Sequence, residues 1–179
     1  MMNKSRRQFL IRIFAAAGLA ATGRMFWVGS EEFVPEMLDA EDDSWLELDP
    51  DDRLVLAMIT PVLLDGVVPK KLSAEALLRY LKDFDQGLSY LTSSQQKEFK
   101  ELLSLLKSLI GRVVVGGIWT SWNNASPAAV DSMLVSWRNS YLDLIKIAYS
   151  GLKELSYGTW YGNPDNWQSI GYAGPPEIR

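Results

Sequence analysis

Apolar side chains recur three and four residues apart through most of the chain between residues 54 and 155. This spacing is typical of helices that bury one face. Residues that cap helices precede the apolar stretches: Asp49 before Pro50, Ser73, Thr92, and Ser126 before Pro127. Their side-chain oxygens accept hydrogen bonds from free backbone N–H groups, and proline fits the first turn. The sequence therefore predicts an all-α protein, a small bundle of about four to five helices.

The boundaries of the later helices depend on weaker signals. Residues 111–118 include three consecutive valines, which favour a strand, but they continue a helical pattern and are predicted to end the third helix. The helix that begins after Ser126 is predicted to break near residues 138–140 and to end at Gly158. Trp137 lies on the apolar face of that helix, so we expect it in the core.

The first residues have the layout of an export signal. Ser5, Arg6, Arg7, Phe9 and Leu10 precede a short apolar run, rich in Ala and Gly, that ends at residue 21. Adjacent arginines before such a run are typical of the twin-arginine signal, a route that carries folded proteins. The run is shorter than the roughly 20 apolar residues that span a bilayer. We expect residues 1–29 to engage the twin-arginine translocase and the protein to reach the periplasm.

Two alternatives for this leader stay open. The first is a basic amphipathic helix at the start of a cytoplasmic protein. The second is that the leader of the exported protein is not cleaved and holds the protein at the inner membrane.

Charge is divided sharply along the chain. Every charged residue from 31 to 52 is acidic, and the whole chain has a net charge of −4. Nucleic-acid binding is disfavoured, because neutralising phosphates requires clustered Lys and Arg. Residues 30–48 are predicted to be a solvated acidic linker, with a docking strip for a basic partner as the alternative. Residues 49–157 then form the helical domain.

The chain contains no Cys and no His. Disulfides, thiolate metal sites and nucleophiles activated by histidine are therefore excluded. A carboxylate pair such as Asp49 and Asp52 could perform acid–base chemistry, but its place at a helix start predicts capping instead. We assign no catalytic and no metal-binding residue and expect no cofactor on this chain. An enzyme that uses carboxylates alone remains an alternative.

Residues 158–179 are rich in Gly, Pro, Asn and aromatic residues. This composition predicts an extended C-terminal arm without regular secondary structure. Its rings are unfavourable in water, so the arm should lie along a surface. Trp119 and Trp122 lie in a second loop that is rich in tryptophan. Tryptophans in loops are enriched at interfaces, and packing on the chain's own bundle is the alternative.

In this order of segments the chain resembles the gluconate 2-dehydrogenase subunit 3-like family, the small subunits of membrane-associated flavin dehydrogenases. The resemblance covers the leader, the helical body and the C-terminal motif. That motif consists of Trp160, Tyr161, Gly162, Asn163, Pro164, Trp167, Gly171, Tyr172, Pro175 and Pro176.

The resemblance implies a non-catalytic subunit that escorts a large FAD-dependent dehydrogenase of the glucose-methanol-choline type through export and stabilises it. FAD would be bound by that partner, and the residues of the C-terminal motif would contact it. Whether a cytochrome c subunit joins the complex is left open. The alternative function is a freestanding periplasmic or membrane-tethered module that binds a ligand between its tryptophan loops.

Overall fold

The computed structural model describes Leu38 and residues 44–68 and 72–175. These residues form an all-α bundle without strands, which confirms the predicted fold class. The predicted export signal, residues 1–29, lies outside the described residues, as does Pro176.

The described part of the chain contains six α-helices and two short 3-10 helices. The α-helices are α1 (Pro50–Leu63), α2 (Ala74–Ser89), α3 (Ser93–Lys107), α4 (Leu109–Val114), α5 (Pro127–Arg138) and α6 (Asp143–Gly162). The 3-10 helices are Trp122–Asn124 and Pro164–Ile170.

The predicted cap residues begin four of these helices. Asp49 accepts a hydrogen bond from the backbone of Asp52 at 2.8 Å, and the Asp52 carboxylate accepts one from the backbone of Asp49. This reciprocal capping box confirms that the carboxylate pair caps α1. Ser73, Thr92 and Ser126 cap α2, α3 and α5 in the predicted way.

Helix α1 is the centre of the bundle. It packs against α2, α3, α5 and α6, and the side chains of Val55, Leu56 and Ile59 are fully buried. Helix α6 packs along α2 and α5. Trp137 of α5 is 1% exposed, as predicted for a core residue.

A single residue separates α3 from α4. Ser108 has an extended backbone, and its hydroxyl accepts a hydrogen bond from the backbone N–H of Gly111 at 2.9 Å. Residues 109–114 are therefore a separate, capped helix and not the last turns of α3, as the sequence predicted. Ser108 ends α3 and caps α4, because its hydroxyl replaces the acceptor that the first backbone N–H groups of a helix lack.

The C-terminal boundary differs from the prediction. Helix α6 does not end at Gly158 but continues to Gly162, and Pro164–Ile170 form a 3-10 helix where an extended arm was expected. The exposed Gly158 weakens the helix only modestly. The buried Ser156 and Trp160, on either side of Gly158, keep the last turns on the bundle.

The end of the predicted acidic linker is packed on the bundle. The buried carboxylate of Asp85 in α2 accepts backbone hydrogen bonds from Leu46, Glu47 and Leu48 at 2.6–2.9 Å. The guanidinium of Arg53 donates to the carbonyl oxygens of Leu48 and Leu38 at 3.1 and 2.7 Å. The backbone of residues 46–48 is therefore anchored to the bundle, while the side chains of Ser44 and Leu46 are exposed.

Candidate partner-binding face

The structure exposes two groups of large apolar side chains. The first group belongs to α4 and the loop after it, and it comprises Leu109, Ile110, Val114 and Trp119, which are 65–75% exposed. The second group belongs to the start of α6, and it comprises Tyr141, Leu142, Leu144 and Ile147, which are 64–98% exposed.

One hydrogen bond holds the end of α4 against the last turn of α5, shortly before α6 begins. The indole of Trp137, in the last turn of α5, donates to the carbonyl oxygen of Val115 at 2.8 Å. Val115 follows α4 directly, and Tyr141 follows Trp137 by four residues. The end of α4 and the start of α6 therefore lie at the same end of the bundle. We call these eight side chains together the α4–α6 face.

The α4–α6 face carries few charges. Arg112 is the only charged residue between 108 and 119, and Asp143 and Lys146 are the only ones between 139 and 149. Interface cores are depleted of charge and enriched in aromatic residues, and the face contains Trp119 and Tyr141. A soluble monomer rarely exposes a large apolar patch unless that patch contacts another molecule.

The residues of the predicted C-terminal motif are divided between the core and the surface. Trp160 is 4% exposed, and its ring centroid lies 6.3 Å from that of Tyr80 in α2. Its predicted role as a partner contact is wrong for this fold, because the ring is enclosed by the chain's own helices. Because α6 continues past Gly158, Trp160 lies on the same helix face as the buried Leu152 and Ser156, four residues apart, and points into the bundle.

The other described motif residues form a folded cap on the end of α6. Tyr161 stacks on Tyr157 with ring centroids 6.0 Å apart. The half-buried Trp167 donates to the Tyr161 carbonyl oxygen at 2.7 Å and meets the ring of Tyr172 edge-on at 5.2 Å. Gly171 turns the chain with a φ of 71°, which favours glycine.

The remaining motif residues have local roles in this cap. Gly162 ends α6, Pro164 begins the 3-10 helix, and Pro175 is exposed. Asn163 caps the 3-10 helix and donates to the carboxylate of Asp83 at 2.7 Å. Tyr161 and Tyr172, 41% and 47% exposed, are the rings of this motif that remain most available to a partner.

The tryptophan loop is divided in the same way. Trp122 is buried, and its indole donates to the Leu106 carbonyl oxygen at 2.9 Å. Trp119, three residues earlier, is 67% exposed. The two rings therefore do not line a common ligand pocket.

A charged cluster joins α3 to the start of α1. The ammonium of Lys107 lies 2.6 Å from Asp49 and 2.7 Å from Asp52. Burial raises the pKa of Asp52, and this effect outweighs the hydrogen bond from Lys107. Partial burial alone would raise the pKa of Asp49, but the Lys107 ammonium and backbone N–H groups lower it overall. Partial burial also lowers the pKa of Lys107, but the two carboxylates reverse this and raise it overall.

The described residues offer little for small-molecule chemistry. They contain no group of three or more metal-ligating side chains. The cavity between α2, α6 and the second 3-10 helix has a volume of about 30 Å³, which is the size of a water molecule. A wider, open concavity of about 440 Å³ along α3 is lined by Ser, Gln, Lys and Glu residues.

Within the described part of the chain, no helix is both long enough and apolar enough to span a bilayer. Comparison of the chain with protein-family models, with curated proteins and with solved structures gave no match.

The sequence pattern does not reveal the α4–α6 face or the role of Asp85. Leu144 and Ile147 follow helical spacing, and spacing alone does not tell which of two apolar stripes is covered. Consecutive apolar residues at 109–110 and 144–145 were the available signal, because one helix face cannot bury both neighbours.

Proposed function

We propose that this chain is a non-catalytic accessory subunit that binds a folded, FAD-dependent dehydrogenase of the glucose-methanol-choline type and escorts it through twin-arginine export. The α4–α6 face is the main contact with the large subunit. Tyr161 and Tyr172 of the C-terminal cap extend the contact.

The observation that supports this proposal is the exposure of the α4–α6 face on a bundle that buries most of its other large apolar side chains. Fully burying a large apolar side chain is favourable by about 1.5–3 kcal/mol. Eight such side chains left in water are unfavourable for a free monomer but suited to a stable heteromer. The folded cap on α6 suits a small subunit that docks as a preformed body.

The leader supports the second half of the proposal. The twin-arginine route carries folded proteins, but we expect no cofactor on this chain. The signal is explained if the protein that folds around a cofactor before export is a partner of this chain. The partner would lack its own signal and would depend on Arg6 and Arg7 of this chain. The complex would then be periplasmic, or held at the inner membrane if the leader stays attached.

A pair of charged substitutions tests the docking face. We expect the double variant Leu144→Asp, Ile147→Asp to lose co-purification with the proposed flavoprotein partner. Losing two buried apolar side chains weakens binding by at least about 3 kcal/mol, or roughly 100-fold in Kd. Tyr90→Asp is the matched control, because Tyr90 is 77% exposed and follows α2, so it belongs to neither α4 nor α6.

Two results would count against the docking face. Either the double variant binds the flavoprotein as tightly as the unmodified chain, or Tyr90→Asp weakens binding equally. Circular dichroism of each variant shows that the bundle is intact, since the substituted side chains are exposed.

The escort function has a separate test. We expect Arg6→Lys combined with Arg7→Lys to leave the flavoprotein in the cytoplasm while the two proteins still bind each other. Fractionation followed by flavin absorbance locates the enzyme. Normal arrival of the flavoprotein in the periplasm would refute the escort function but would leave the proposed docking face untested by this experiment.

A further inference from the structure

Three cations in or beside the α4–α6 face differ from the other Lys and Arg side chains that the structure describes. Arg112 of α4, Arg138 at the end of α5 and Lys146 of α6 make no side-chain hydrogen bond, ion pair or ring contact. Each of the other described cations contacts a carboxylate, a hydroxyl, a carbonyl oxygen or an aromatic ring. These partnered cations are Arg53, Arg79, Lys82, Lys97, Lys100, Lys107 and Lys153.

Arg112 is held differently from the other two. Arg138 and Lys146 are exposed, whereas Arg112 is half-buried. Its Nε is enclosed by the protein and has no acceptor, while its two terminal nitrogens are not enclosed in this way. Arg112 follows Leu109 by three residues, so the two side chains are neighbours on α4. The guanidinium is therefore partly shielded from water and presents its terminal N–H groups beside an exposed apolar side chain.

The charge around the face is unusual for this chain. Residues 108–150 contain the three unpartnered cations and only two carboxylates, Asp131 and Asp143, although the whole chain has a net charge of −4. Both of these carboxylates are exposed. The face is thus the basic part of an acidic protein. Long-range electrostatics guides an acidic surface to this part of the molecule and away from the rest.

The chemistry of Arg112 restricts what can cover it. A guanidinium only donates hydrogen bonds, and its planar fork fits a carboxylate through two parallel bonds. A purely apolar partner surface would remove water from the terminal N–H groups without replacing it, which is strongly unfavourable for a charged group. A partner that covers Leu109 and its neighbours must therefore supply an acceptor at Arg112.

We propose that Arg112 binds a carboxylate of the partner, and that the partner surface is apolar with at least one acidic side chain opposite Arg112. Arg138 and Lys146 attract the same acidic surface from the rim of the face. This inference rests on the proposed function and specifies the chemistry of the large subunit's contact surface.

Replacement of Arg112 by Met tests the proposal through the sign of its effect on affinity. Methionine keeps the aliphatic part of the side chain and is a good helix former. If a carboxylate lies opposite, Arg112→Met leaves it buried without a donor, and we expect Kd for the flavoprotein to rise by roughly 10- to 100-fold. If the opposite surface is apolar, the same variant removes an unfavourable charge, and binding becomes tighter. Tighter or unchanged binding would overturn the proposal.

Two further variants separate the ion pair from a general effect of charge. Lys97→Met removes one positive charge from α3, where the Lys97 side chain is 78% exposed, and we expect it to leave Kd unchanged. Arg112→Lys keeps the charge but loses the planar fork, so it should recover part of the affinity that Arg112→Met loses. An Arg112→Lys variant that binds no better than Arg112→Met, or a Lys97→Met variant that binds as weakly, would contradict a specific ion pair.

Salt dependence gives an independent measurement. We expect added salt to weaken binding of the unmodified chain more steeply than binding of Arg112→Met, because an ion pair is screened and an apolar contact is not. Equal salt dependence would overturn the proposal. Circular dichroism checks that Arg112→Met is folded, and Arg112→Gln replaces it in the same comparison if it is not.

Two outcomes identify which proposal has failed. If the unmodified chain does not bind the flavoprotein, both the proposed function and this inference are wrong. If Leu144→Asp, Ile147→Asp abolishes binding while Arg112→Met does not weaken it, only this inference is wrong. Lipid phosphates are the competing acceptor. Release of Arg112→Met from phosphatidylglycerol vesicles that retain the unmodified chain, with flavoprotein binding unchanged, would assign Arg112 to a membrane surface and overturn the proposal.

Discussion

Replacement of Asp85 by Ala tests how the segment before α1 is attached to the bundle. The Asp85 carboxylate is 2% exposed and accepts backbone hydrogen bonds from Leu46, Glu47 and Leu48 at 2.6, 2.9 and 2.8 Å. Alanine removes all three acceptors and leaves three N–H groups without a partner, in a place that water reaches poorly.

The size of the effect follows from these contacts. A hydrogen bond to a charged group contributes about 1.5–3 kcal/mol, so three bonds set an upper limit of roughly 4.5–9 kcal/mol. The segment can lift off and regain water, and the loss is then limited to the packing of Leu48 and the bonds of Arg53. We expect Asp85→Ala to lower the free energy of unfolding by about 3 kcal/mol. For a chain of this size that is a decrease in Tm of roughly 6–12 °C.

Two measurements check this prediction. Urea denaturation followed by circular dichroism gives the free energy of unfolding. Cleavage after Glu47 by a glutamate-specific protease reports whether the segment has lifted off, because the backbone at Glu47 is held by Asp85 in the intact protein. We expect Asp85→Ala to be cleaved there much faster than the unmodified chain under native conditions.

The reasoning would be refuted if Asp85→Ala lost less than about 1 kcal/mol and kept its resistance to cleavage at Glu47. Asp131→Ala is the matched control, because Asp131 is an exposed carboxylate on α5. Surface substitutions of this kind change stability by about 0.5 kcal/mol or less.

Three further predictions concern the helix junctions and the charged cluster. Lys107→Met should cost about 2 kcal/mol at pH 7, between the values for exposed and buried ion pairs. Because the folded state raises the pKa of Lys107, the difference from the unmodified chain should be full from neutral pH up to about pH 10.4 and shrink as the pH rises through the folded pKa, which urea denaturation at several pH values will show. Gly111→Ala should lower the free energy of unfolding by at least about 2 kcal/mol, because the new Cβ would lie 1.9 Å from the Leu105 carbonyl oxygen and force α3 and α4 apart. Gly151→Ala, with nothing within 4 Å of its Cβ, should instead stabilise α6 by about 0.5–1 kcal/mol in thermal denaturation, and a loss of stability would contradict the open geometry of that position.

The sequence predicted the starts of α1, α2, α3 and α5 well because each depends on local chemistry. Asp49, Ser73, Thr92 and Ser126 cap their helices through atoms within three residues. Such interactions involve only residues that are close in sequence, so they can be predicted without the tertiary fold.

The remaining features depend on contacts between distant parts of the chain. Gly158 looked like a helix end, but the burial of Trp160 against Tyr80, 80 residues earlier, extends α6 beyond it. Nothing in the residues next to Asp85 indicates that its carboxylate holds backbone groups 37–39 residues away. For the candidate partner-binding face, the sequence predicted that some aromatic side chains would lie at the surface. Which of them face inward was not, because composition does not distinguish Trp119 from Trp122.

Helix α4 has only six residues, too few to persist in water by its own backbone hydrogen bonds. Trp122 holds the chain just before it through Leu106, and Trp137 holds the chain just after it through Val115. Two core indoles thus clamp a helix that would otherwise fluctuate. A molecule that binds to Leu109, Ile110 and Val114 contacts a surface that is already rigid, so little conformational entropy is lost on association. We expect the gain in affinity to appear mainly as a slower dissociation rate.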